Sequence, residues 1–466
     1  MIKILLLIAW LIIFILAVDA TYKIHHLLKA LKAEENEEKV EKVQTTQNLM
    51  YAAVVILAVL GIGILYLFLK STIYESHFFE WLNLVVRLLH ITFGIAWIGT
   101  SFYFVFLENA LHTEGVRDEL KGNLWSVHGG GFYYVEKYKI APKKIPKDLH
   151  WFKYEAYFTW LSGFCLLTVV YYFNASSYLI DTEVLDLLPY QAILIGIGSL
   201  IAGWLIYDQI CKRVTENKVL FTILITIMVC FFAWFYAQVF SGRAAYIHFG
   251  ALLGTLMAGN VFFTIIPGQK RMVAAAKKGL PPNPEDGKAA FLRSYTNNYF
   301  TLPVLFVMIS NHFPSTFGNT HQWLILLGIT VGTAGVKHYL NLREKGKLSV
   351  WVMPIAVVIL FAMAFLTAPQ PAKYSSCEEE VTFVEVQTII QNRCVTCHSA
   401  NPTDELWKVP PNGVKYDTPD QIYNLKDKIF QRVVVSKNMP FNNNQTGMTQ
   451  EERDMINCWI NQGAPK

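Results

Sequence analysis

The amino-acid sequence predicts an all-α protein, a polytopic bundle of membrane-spanning helices followed by a small helical domain at the C-terminus. Of its 466 residues, 53% are hydrophobic and only 16% are charged. Apolar stretches of near-spanning length recur about ten times before residue 370. Beyond that point the apolar stretches end, and residues 381–393 and 449–462 have the pattern of two shorter helices.

Each apolar stretch predicts one membrane helix. The stretches cover residues 2–18, 50–69, 82–107, 154–173, 190–210, 219–240, 246–266, 299–311, 322–340 and 350–368. The weakest is 299–311, which is short and contains Pro303. We expect its helix to begin earlier, with the polar Asn297 and Asn298 facing protein rather than lipid. Residues 1–70 then form an N-terminal extension with two helices joined by a cytoplasmic helical linker, and residues 71–370 form a membrane domain of about eight helices.

The distribution of Lys and Arg among the loops predicts the orientation of the bundle. Nearly all of them lie in alternate segments, namely 19–48, 108–153, 212–218, 270–293 and 343–347. The intervening loops 71–80, 174–189 and 312–321 contain none. Because basic loops stay in the cytoplasm, the last helix runs outward, and the C-terminal domain lies on the periplasmic side of a bacterial inner membrane.

The first twenty residues allow an alternative interpretation. They could form a signal peptide, with Val18-Asp19-Ala20 as its cleavage site. Cleavage would remove one crossing, invert every later loop and place the C-terminal domain in the cytoplasm. We therefore expect the first helix to remain uncleaved.

The C-terminal domain carries the most specific motif in the chain, Cys394-Val395-Thr396-Cys397-His398. This C-x-x-C-H pattern is the attachment site of a c-type haem, where two thiols bind the porphyrin and the histidine ligates iron. The alternatives are a redox pair or a zinc pair followed by a chance histidine. Zinc needs further ligands, yet no histidine follows His398, and no βαβ pattern surrounds the motif. The sequence therefore predicts one covalent haem c.

A second axial ligand is expected from a methionine, either Met439 or Met448. Met448 precedes Thr449 and Glu452, which have the spacing of a capping box, so its side chain is expected to staple the final helix. Met439, in an irregular Asn-rich stretch, is the better candidate. With His398 it would ligate the iron. Residues 381–466 resemble a class I cytochrome c domain, because a helix, the C-x-x-C-H motif, a loop, a Met-Pro pair and a final helix follow one another in this order. A linker at residues 371–380 precedes the domain.

The remaining cysteines have simpler interpretations. Cys165, Cys211 and Cys230 lie in predicted membrane helices and are expected to be packing residues. Cys377 and Cys458 lie near the two ends of the C-terminal domain, on the oxidising side of the membrane. A disulfide between them is compatible with the sequence, which leaves the question open.

Ionisable residues within a bilayer are candidates for function. Arg87 and His90 lie three residues apart on one helix face, and Arg243, His248 and His312 lie at the same outer depth. These five residues could line one pocket below the haem. Alternatively, Arg87 snorkels to the surface and each histidine satisfies a neighbouring carbonyl. A haem b would need two histidines at matched depth, such as His90 with His248 or His312.

A second cluster lies on the cytoplasmic side. His128 precedes three glycines, which would let the backbone approach a ligand closely. His150 and Lys153 stand with Glu155 at the entry to a helix. The alternative is an interfacial aromatic belt with a snorkelling Lys153. His338, at the inner end of its helix, is expected to be structural.

Several long strings in the chain resemble the membrane domain of PuuD-type urate hydroxylases. They are RLLHITFGIAWIGTSFYFVFLENAL, LWSVHGGGFYYVEKYKIAP, LHWFKYEAYFTWLSGF, GRAAYIHFGALLGTLMAGNVFFTIIPGQKRMV and NNYFTLPVLFVMISNHFPSTFG. The similarity covers about residues 78–370, and the cytochrome domain continues it to the end of the chain.

The resemblance implies hydroxylation of urate, or a related purine, to 5-hydroxyisourate, with water as the oxygen source and haem c as the electron acceptor. It implies a clamp for the purine anion and a base. Arg87 as clamp and His90 as base are the first choice, and His128, His150 and Lys153 the second. A soluble cytochrome or terminal oxidase would reoxidise the haem, and no nucleic acid is expected as a partner. The alternatives are a respiratory subunit that moves electrons between a quinol and haem c, and a membrane scaffold that only tethers the cytochrome.

Overall fold

The structure is a computed structural model that describes residues 2–33, 37–70, 72, 74–142, 144–146, 149–182, 184–214, 216–347, 349–368, 377, 380–404, 407, 409–435, 437, 439–441 and 446–466. Helix accounts for 72% of it, which confirms the predicted helical class. The chain divides into two compact units, Met1–Leu82 and Asn83–Lys466.

The N-terminal unit is built on two long helices, α1 (Ile2–Ala33) and α2 (Glu37–Leu69), that pack against each other. Both helices extend into the predicted linker, of which residues 34–36 lie outside the described residues. The Trp10 indole donates a hydrogen bond of 2.6 Å to the carbonyl of Leu57. It also fills the space beside Gly61, where a Cβ atom would lie 2.0 Å from the Trp10 ring. Only glycine allows the two backbones to approach this closely.

The second unit contains the remaining helices of the predicted membrane domain, and α3 begins just before its boundary. They are α3 (Glu75–Asn109), α4 (Tyr154–Leu167), α5 (Ala175–Tyr178), α6 (Pro189–Arg213), α7 (Lys218–Val239), α8 (Gly242–Gly259), α9 (Ile266–Lys277), α10 (Pro284–Ser310), α11 (Pro314–Phe317), α12 (Gln322–Glu344) and α13 (Val352–Leu366). Every predicted stretch falls on a helix. Helix α10 begins well before residue 299, and Asn297 and Asn298 are buried, as predicted.

Among the described residues, seven helices are long and apolar enough to cross a membrane. They are Ile8–Leu31, Lys42–Leu69, His77–Asn109, Pro189–Arg213, Lys218–Val239, Gly242–Lys277 and Gln322–Glu344. Helix α13 is apolar but shorter. Helix α4 has 14 residues before its geometry changes, and α10 carries polar residues at its centre. These two predicted spans are therefore weaker than the others by length or hydropathy.

Helix α8 forms the centre of the bundle. Leu252, Leu253 and Leu256 are fully buried there, and α8 packs against α4, α6, α7 and α10. Small residues permit the close crossings: a Cβ atom on Gly203 would lie 2.4 Å from Leu252, and one on Gly250 would lie 2.4 Å from Val307. This use of glycine is typical of helices that pack without a hydrophobic driving force.

Two segments of π-helix interrupt the membrane helices. Thr168–Tyr172 extends α4, and Asn260–Ile265 joins α8 to α9. In a π-helix the backbone bonds from residue i to i+5, which widens the turn, and such segments are frequent at functional sites. Here they carry the buried side chains of Tyr171, Tyr172 and Asn260.

One β-hairpin departs from the predicted all-α class. Strands β1 (Leu120–His128) and β2 (Gly131–Tyr138) pair antiparallel across a two-residue loop. Gly129 and Gly130 both have positive φ, +58° and +80°, as this type of tight hairpin turn requires. The glycines therefore make a turn rather than a ligand loop. Glu108 at the end of α3 accepts hydrogen bonds from Lys121 and Lys137 and anchors the hairpin.

The C-terminal lobe is a separate apolar cluster of short helices. It contains α14 (Phe383–Arg393), α15 (Pro419–Asn424), α16 (Lys426–Ile429), a π-helical segment Phe430–Val435 and α17 (Gln450–Asn461). The terminal helices α14 and α17 meet, with Phe383 and Trp459 ring centroids 5.8 Å apart. Thr382, Thr418 and Thr449 each form a capping box. Cys377 and Cys458 form a disulfide with a Cα–Cα distance of 5.7 Å, which answers the question that the sequence left open.

Candidate functional site

The C-x-x-C-H motif forms a tight turn directly after α14. The amides of Cys397 and His398 both donate to the carbonyl of Cys394, at 3.2 and 2.8 Å. Both cysteines are free, and Cys394 is part of the apolar cluster of the lobe. Burial raises the pKa of each thiol to about 12. Both are therefore protonated thiols at neutral pH, one turn apart.

The imidazole of His398 is held through one nitrogen. Its Nδ1 donates to the carbonyl of Val414 at 3.1 Å, and its ring packs against Tyr416 with centroids 5.4 Å apart. Burial lowers the pKa of His398, because it disfavours the charged imidazolium. A neutral ring that donates from Nδ1 keeps the lone pair on Nε2, which is the arrangement found in metal-ligating histidines.

The two candidate methionines have different environments. Met448 is 3% exposed in the core of the lobe and directly precedes the cap residue Thr449. Met439 is half-buried and packs at the edge of the same cluster. The Met439 backbone is fixed, since its amide donates to the carbonyl of Arg432 at 3.1 Å and its carbonyl accepts from Arg453 at 2.8 Å. Met448 thus has the stapling position predicted for it.

These residues fit a haem c. The lobe offers two thiols, an imidazole with a free Nε2 and a thioether outside the packed core. In the part of the chain that the structure describes, no group of three His, Cys, Asp or Glu side chains could hold a metal ion. The zinc alternative therefore finds no ligand set there. The identity of the ligands, His398 and Met439, stays a prediction.

A second site lies at the outer end of the bundle, and we call Arg87, Tyr171, Tyr178, Arg243 and Asn311 the arginine cluster. Asn311 Oδ1 accepts from Arg243 Nε at 3.0 Å and from the Tyr171 hydroxyl at 3.3 Å. The Arg243 guanidinium stands 5.1 Å from the ring centroid of Tyr178 and 5.9 Å from that of Tyr171. Arg87 is close enough to interact electrostatically with Arg243 and with both tyrosines.

The arginine cluster has an uncompensated positive charge. Arg87 donates to the amide oxygen of Asn83 at 3.1 Å, and Arg243 donates to that of Asn311. Among the described residues, neither guanidinium has a carboxylate within ion-pair distance. Two neighbouring cations that share only neutral partners repel each other, and an anion between them would relieve the repulsion.

The arginine cluster contacts the C-terminal lobe. The Tyr178 ring lies 4.6 Å from that of Phe441 and 6.4 Å from that of Trp407. Phe441 follows Met439 by two residues, and Trp407 lies in the loop that follows His398. The uncompensated charge therefore lies beside the loops that carry the candidate iron ligands.

The three outer histidines do not share one pocket. His248 is fully buried, and both ring nitrogens are bonded, Nδ1 to the Ala244 carbonyl at 2.9 Å and Nε2 to the Tyr172 hydroxyl at 3.2 Å. His312 is exposed at the helix end. His90 bonds through Nδ1 to the Thr159 carbonyl at 3.1 Å. Neither nitrogen of His248 is free for iron, so this residue does not fit a haem b ligand. The presence of haem b stays a prediction.

The predicted cytoplasmic cluster is also divided. His128 is exposed at the hairpin turn. Lys153 lies over the Tyr154 ring at 4.7 Å and occupies the N-cap position of α4, without a capping hydrogen bond from its side chain. His150, whose ring packs against Phe152 at 4.5 Å, lines a cavity together with Glu155, and this cavity has a volume of about 870 Å³. His338 bonds to the Tyr299 hydroxyl at 2.6 Å, as a structural histidine would.

Comparison with known protein families decides the identity of the membrane domain. Residues 76–368 match the family described as urate oxidase N-terminal. The chain belongs to the urate oxidase N-terminal family. The matched range contains α4 to α13 completely and covers well over half of the chain. No curated protein and no solved structure matches the chain.

Membership of the urate oxidase N-terminal family indicates an enzyme of urate metabolism. The matched range ends at residue 368, before the C-terminal lobe. It contains every member of the arginine cluster and the cavity near His150. Within the family domain, the structure therefore offers two separate candidate sites, one at each end of the bundle.

Several residues of the family domain have roles that the sequence did not reveal. Tyr171, Tyr178 and Asn311 complete the arginine cluster but have no distinguishing local pattern. Arg293 was counted as a cytoplasmic loop cation, yet it is buried at 3% exposure and bonds to Asp208 at 2.6 Å. Asp208 lies within the predicted span 190–210, and an intramembrane carboxylate is the signal that could have revealed this pair.

Proposed function

We propose that the protein is a membrane-bound urate hydroxylase that passes electrons to haem c in its C-terminal lobe. Urate and water give 5-hydroxyisourate, two protons and two electrons. The new C–O bond forms between water and C5 of the purine. The observation that carries the proposal is the uncompensated arginine cluster, located in the urate oxidase N-terminal domain and in contact with the lobe that contains C-x-x-C-H.

Haem c, held by Cys394, Cys397, His398 and Met439, would supply a one-electron acceptor. The chain itself binds and orients the substrate. Arg87 and Arg243 hold the urate anion, because charge-assisted hydrogen bonds from guanidinium groups match planar anions. Asn311 fixes Arg243 and Tyr171 relative to each other. The aromatic rings of Tyr178 and Phe441 pack against each other where the arginine cluster meets the C-terminal lobe.

The proton acceptor is His90 in this proposal. It lies one helical turn from Arg87, and the two interact electrostatically. Donation from Nδ1 to the Thr159 carbonyl leaves the lone pair on Nε2. The ring lies against α4 at Gly163, where a Cβ atom would be 2.8 Å from it. Any larger residue at position 163 would displace the base.

The proposed setting is the bacterial inner membrane, with the C-terminal lobe on the periplasmic side. The seven long apolar helices support insertion in a membrane, and the loop charges support the orientation. On that side, a soluble cytochrome or a terminal oxidase can take the electrons onward.

The test is anaerobic titration of the oxidised full-length protein with urate, followed by the haem absorbance bands. Since each urate gives two electrons and each haem takes one, we expect complete reduction at half an equivalent of urate per haem. A pyridine haemochrome spectrum of the same sample counts c-type and b-type haems. No reduction by urate, together with rapid reduction by a quinol, would overturn the proposal and favour a respiratory electron-transfer subunit.

A further inference from the structure

The cavity near His150 lies at the opposite end of the domain from the arginine cluster. Helix α3 carries Arg87 near its outer end and the cavity residue Trp97 ten positions later. Helix α4 contributes Glu155 from its first turn, whereas Tyr171 lies beyond its last. The cavity has a volume of about 870 Å³, which is within the range of small-molecule sites.

Three side chains that line this cavity have buried polar atoms without a hydrogen-bond partner. They are Oε2 of Glu155, Oδ1 of Asn298 and Nδ2 of Asn341. Asn298 and Asn341 are 5% and 4% exposed. Buried polar groups are nearly always paired, and each exception costs free energy until a partner arrives.

The side-chain amides of Asn298 and Asn341 form a hydrogen bond to each other, and one polar atom of each amide stays outside this bond. Asn298 Nδ2 donates to Asn341 Oδ1 at 2.9 Å. This leaves the Asn298 carbonyl oxygen unpaired, and the Asn341 amide nitrogen with the Tyr299 hydroxyl nearby but outside hydrogen-bonding geometry. Exchanging the oxygen and nitrogen positions of both amides again leaves one oxygen and one nitrogen unpaired. The site therefore lacks one donor and one acceptor in either assignment. Both atoms are buried in this structure, so binding in the cavity requires the two amides to rotate towards its surface.

The charged side chains that line this cavity balance, Glu108 and Glu155 against Lys137 and Lys345, so it lacks the net positive charge of the arginine cluster. Glu155 is a carboxylate with an unpartnered oxygen. Glu108, another cavity residue, already accepts hydrogen bonds from Lys121 and Lys137, and Lys345 lies 5.6 Å from the Tyr295 ring centroid. Aromatic side chains, including Trp97 and Trp151, line much of the remaining surface. A planar ring that can donate hydrogen bonds to Glu155 fits these walls.

We propose that this cavity binds a neutral lactam heterocycle, such as an oxopurine or an oxopyrimidine, at a site separate from the arginine cluster. The adjacent N–H and C=O groups of a lactam edge supply the donor that Asn298 lacks and the acceptor that Asn341 lacks. A further ring N–H donates to Glu155. An oxidised quinone has no N–H group and would leave Glu155 and Asn298 unpaired. The urate anion would be repelled by Glu155.

The test uses equilibrium dialysis of the full-length protein with radiolabelled xanthine as the neutral probe, at slightly acidic pH. Urate is measured in parallel. We expect Asn341→Leu and Asn298→Leu to weaken xanthine binding at least tenfold and to leave urate binding unchanged. Arg87→Ala should do the opposite. Asn461→Leu, on the surface of the lobe, is the matched control and should change neither.

A second variant shows whether loss of xanthine binding reflects a blocked cavity or a misfolded protein. Ala290 lines the cavity without any role in the polar contacts, and Ala290→Phe should fill the space and abolish xanthine binding while haem content and urate binding persist. Failure of xanthine to bind the wild type, or its displacement by urate with loss of both in Arg87→Ala, would overturn the inference. Neither result depends on haem reduction by urate, so the two proposals fail separately.

Discussion

The two ends of the family domain differ in the charge of their unpaired polar groups. At the outer end, Arg87 and Arg243 lie together without a carboxylate, beside the C-terminal lobe. At the other end, Glu155, Asn298 and Asn341 line a cavity, and each has one buried polar atom without a hydrogen-bond partner. In our proposals, an anion completes the first arrangement and a neutral hydrogen-bonding ring completes the second. The difference would let one bundle distinguish two charge states of closely related heterocycles.

The largest expected effect comes from removing both outer cations. In Arg87→Ala with Arg243→Ala, two charge-assisted contacts worth about 1.5–3 kcal/mol each are lost. The rate of haem reduction at low urate should therefore fall at least about a hundredfold, as measured by stopped-flow absorbance. Arg213→Ala, an exposed arginine at the end of α6, is the control. An unchanged rate in the double variant would remove the arginine cluster from the urate site.

The next largest effect is a loss of stability when the buried hydrogen-bond network next to the cavity is broken. Arg293 pairs with Asp208 at 2.6 Å and donates to Asn260, which in turn donates to the cavity residue Asn297 at 2.7 Å. Arg293→Ala removes two buried charge-assisted hydrogen bonds, to Asp208 and to Asn260, and leaves the Asp208 carboxylate with Lys212 at 2.7 Å. At about 1.5–3 kcal/mol for each bond, the substitution should cost about 3–5 kcal/mol in the free energy of unfolding. Arg271→Ala breaks a pair whose arginine is exposed and should cost about 1 kcal/mol or less. Similar unfolding midpoints for the two variants would contradict this ranking.

Removing the disulfide should destabilise the C-terminal lobe without changing ligand binding at the cavity near His150. The Cys377–Cys458 disulfide closes a sequence separation of 81 residues, and its removal by a double Cys→Ser substitution should cost about 2–5 kcal/mol. Haem absorbance during denaturation reports the loss. Xanthine binding at the cavity should not change. Cys165→Ser, at a free cysteine in α4, is the control. Identical unfolding of the reduced and oxidised wild type would exclude a stabilising disulfide.

The smallest expected effect is a difference in KM for urate between substitutions of two adjacent tyrosines, Tyr171 and Tyr172. Tyr171→Phe removes one donor to Asn311, a neutral bond worth about 0.5–1.5 kcal/mol, so KM for urate should rise severalfold with little change in kcat. Tyr172→Phe removes only the bond to His248 and should leave KM unchanged. Equal effects of the two substitutions would show that Asn311 does not orient the substrate.

Local patterns predicted most of the helices. Hydropathy identified each apolar stretch, and the shortness of the stretch 299–311 predicted the earlier start of α10 and the burial of Asn297 and Asn298. The capping box at Thr449 and the position of Met448 also followed from adjacent residues. These features depend on interactions within a few positions along the chain, which the sequence displays directly.

The contacts that make the candidate sites are long-range, and here local reasoning was incomplete. Asn311 meets Tyr171 across 140 positions, and Asn298 meets Asn341 across 43. No local pattern specifies such pairs. The hairpin was missed because its strands expose Trp125 and Phe132, so the burial alternation typical of a half-buried strand is weak. His90 and His248 were grouped by depth alone, but they face different neighbours.

The π-helical segment at Thr168–Tyr172 has a consequence for how this site tolerates change in chain length. Its wider turn holds a residue that an α-helix of the same span would not accommodate. Deleting one residue there would restore a regular α-helix without turning the rest, whereas deleting one from the regular part of α4 would rotate everything beyond it by about 100° relative to the helix start. Tyr171 would then turn away from Asn311, although every amino-acid identity in the arginine cluster would be retained. The register of α4, as much as its side chains, is thus part of the proposed specificity.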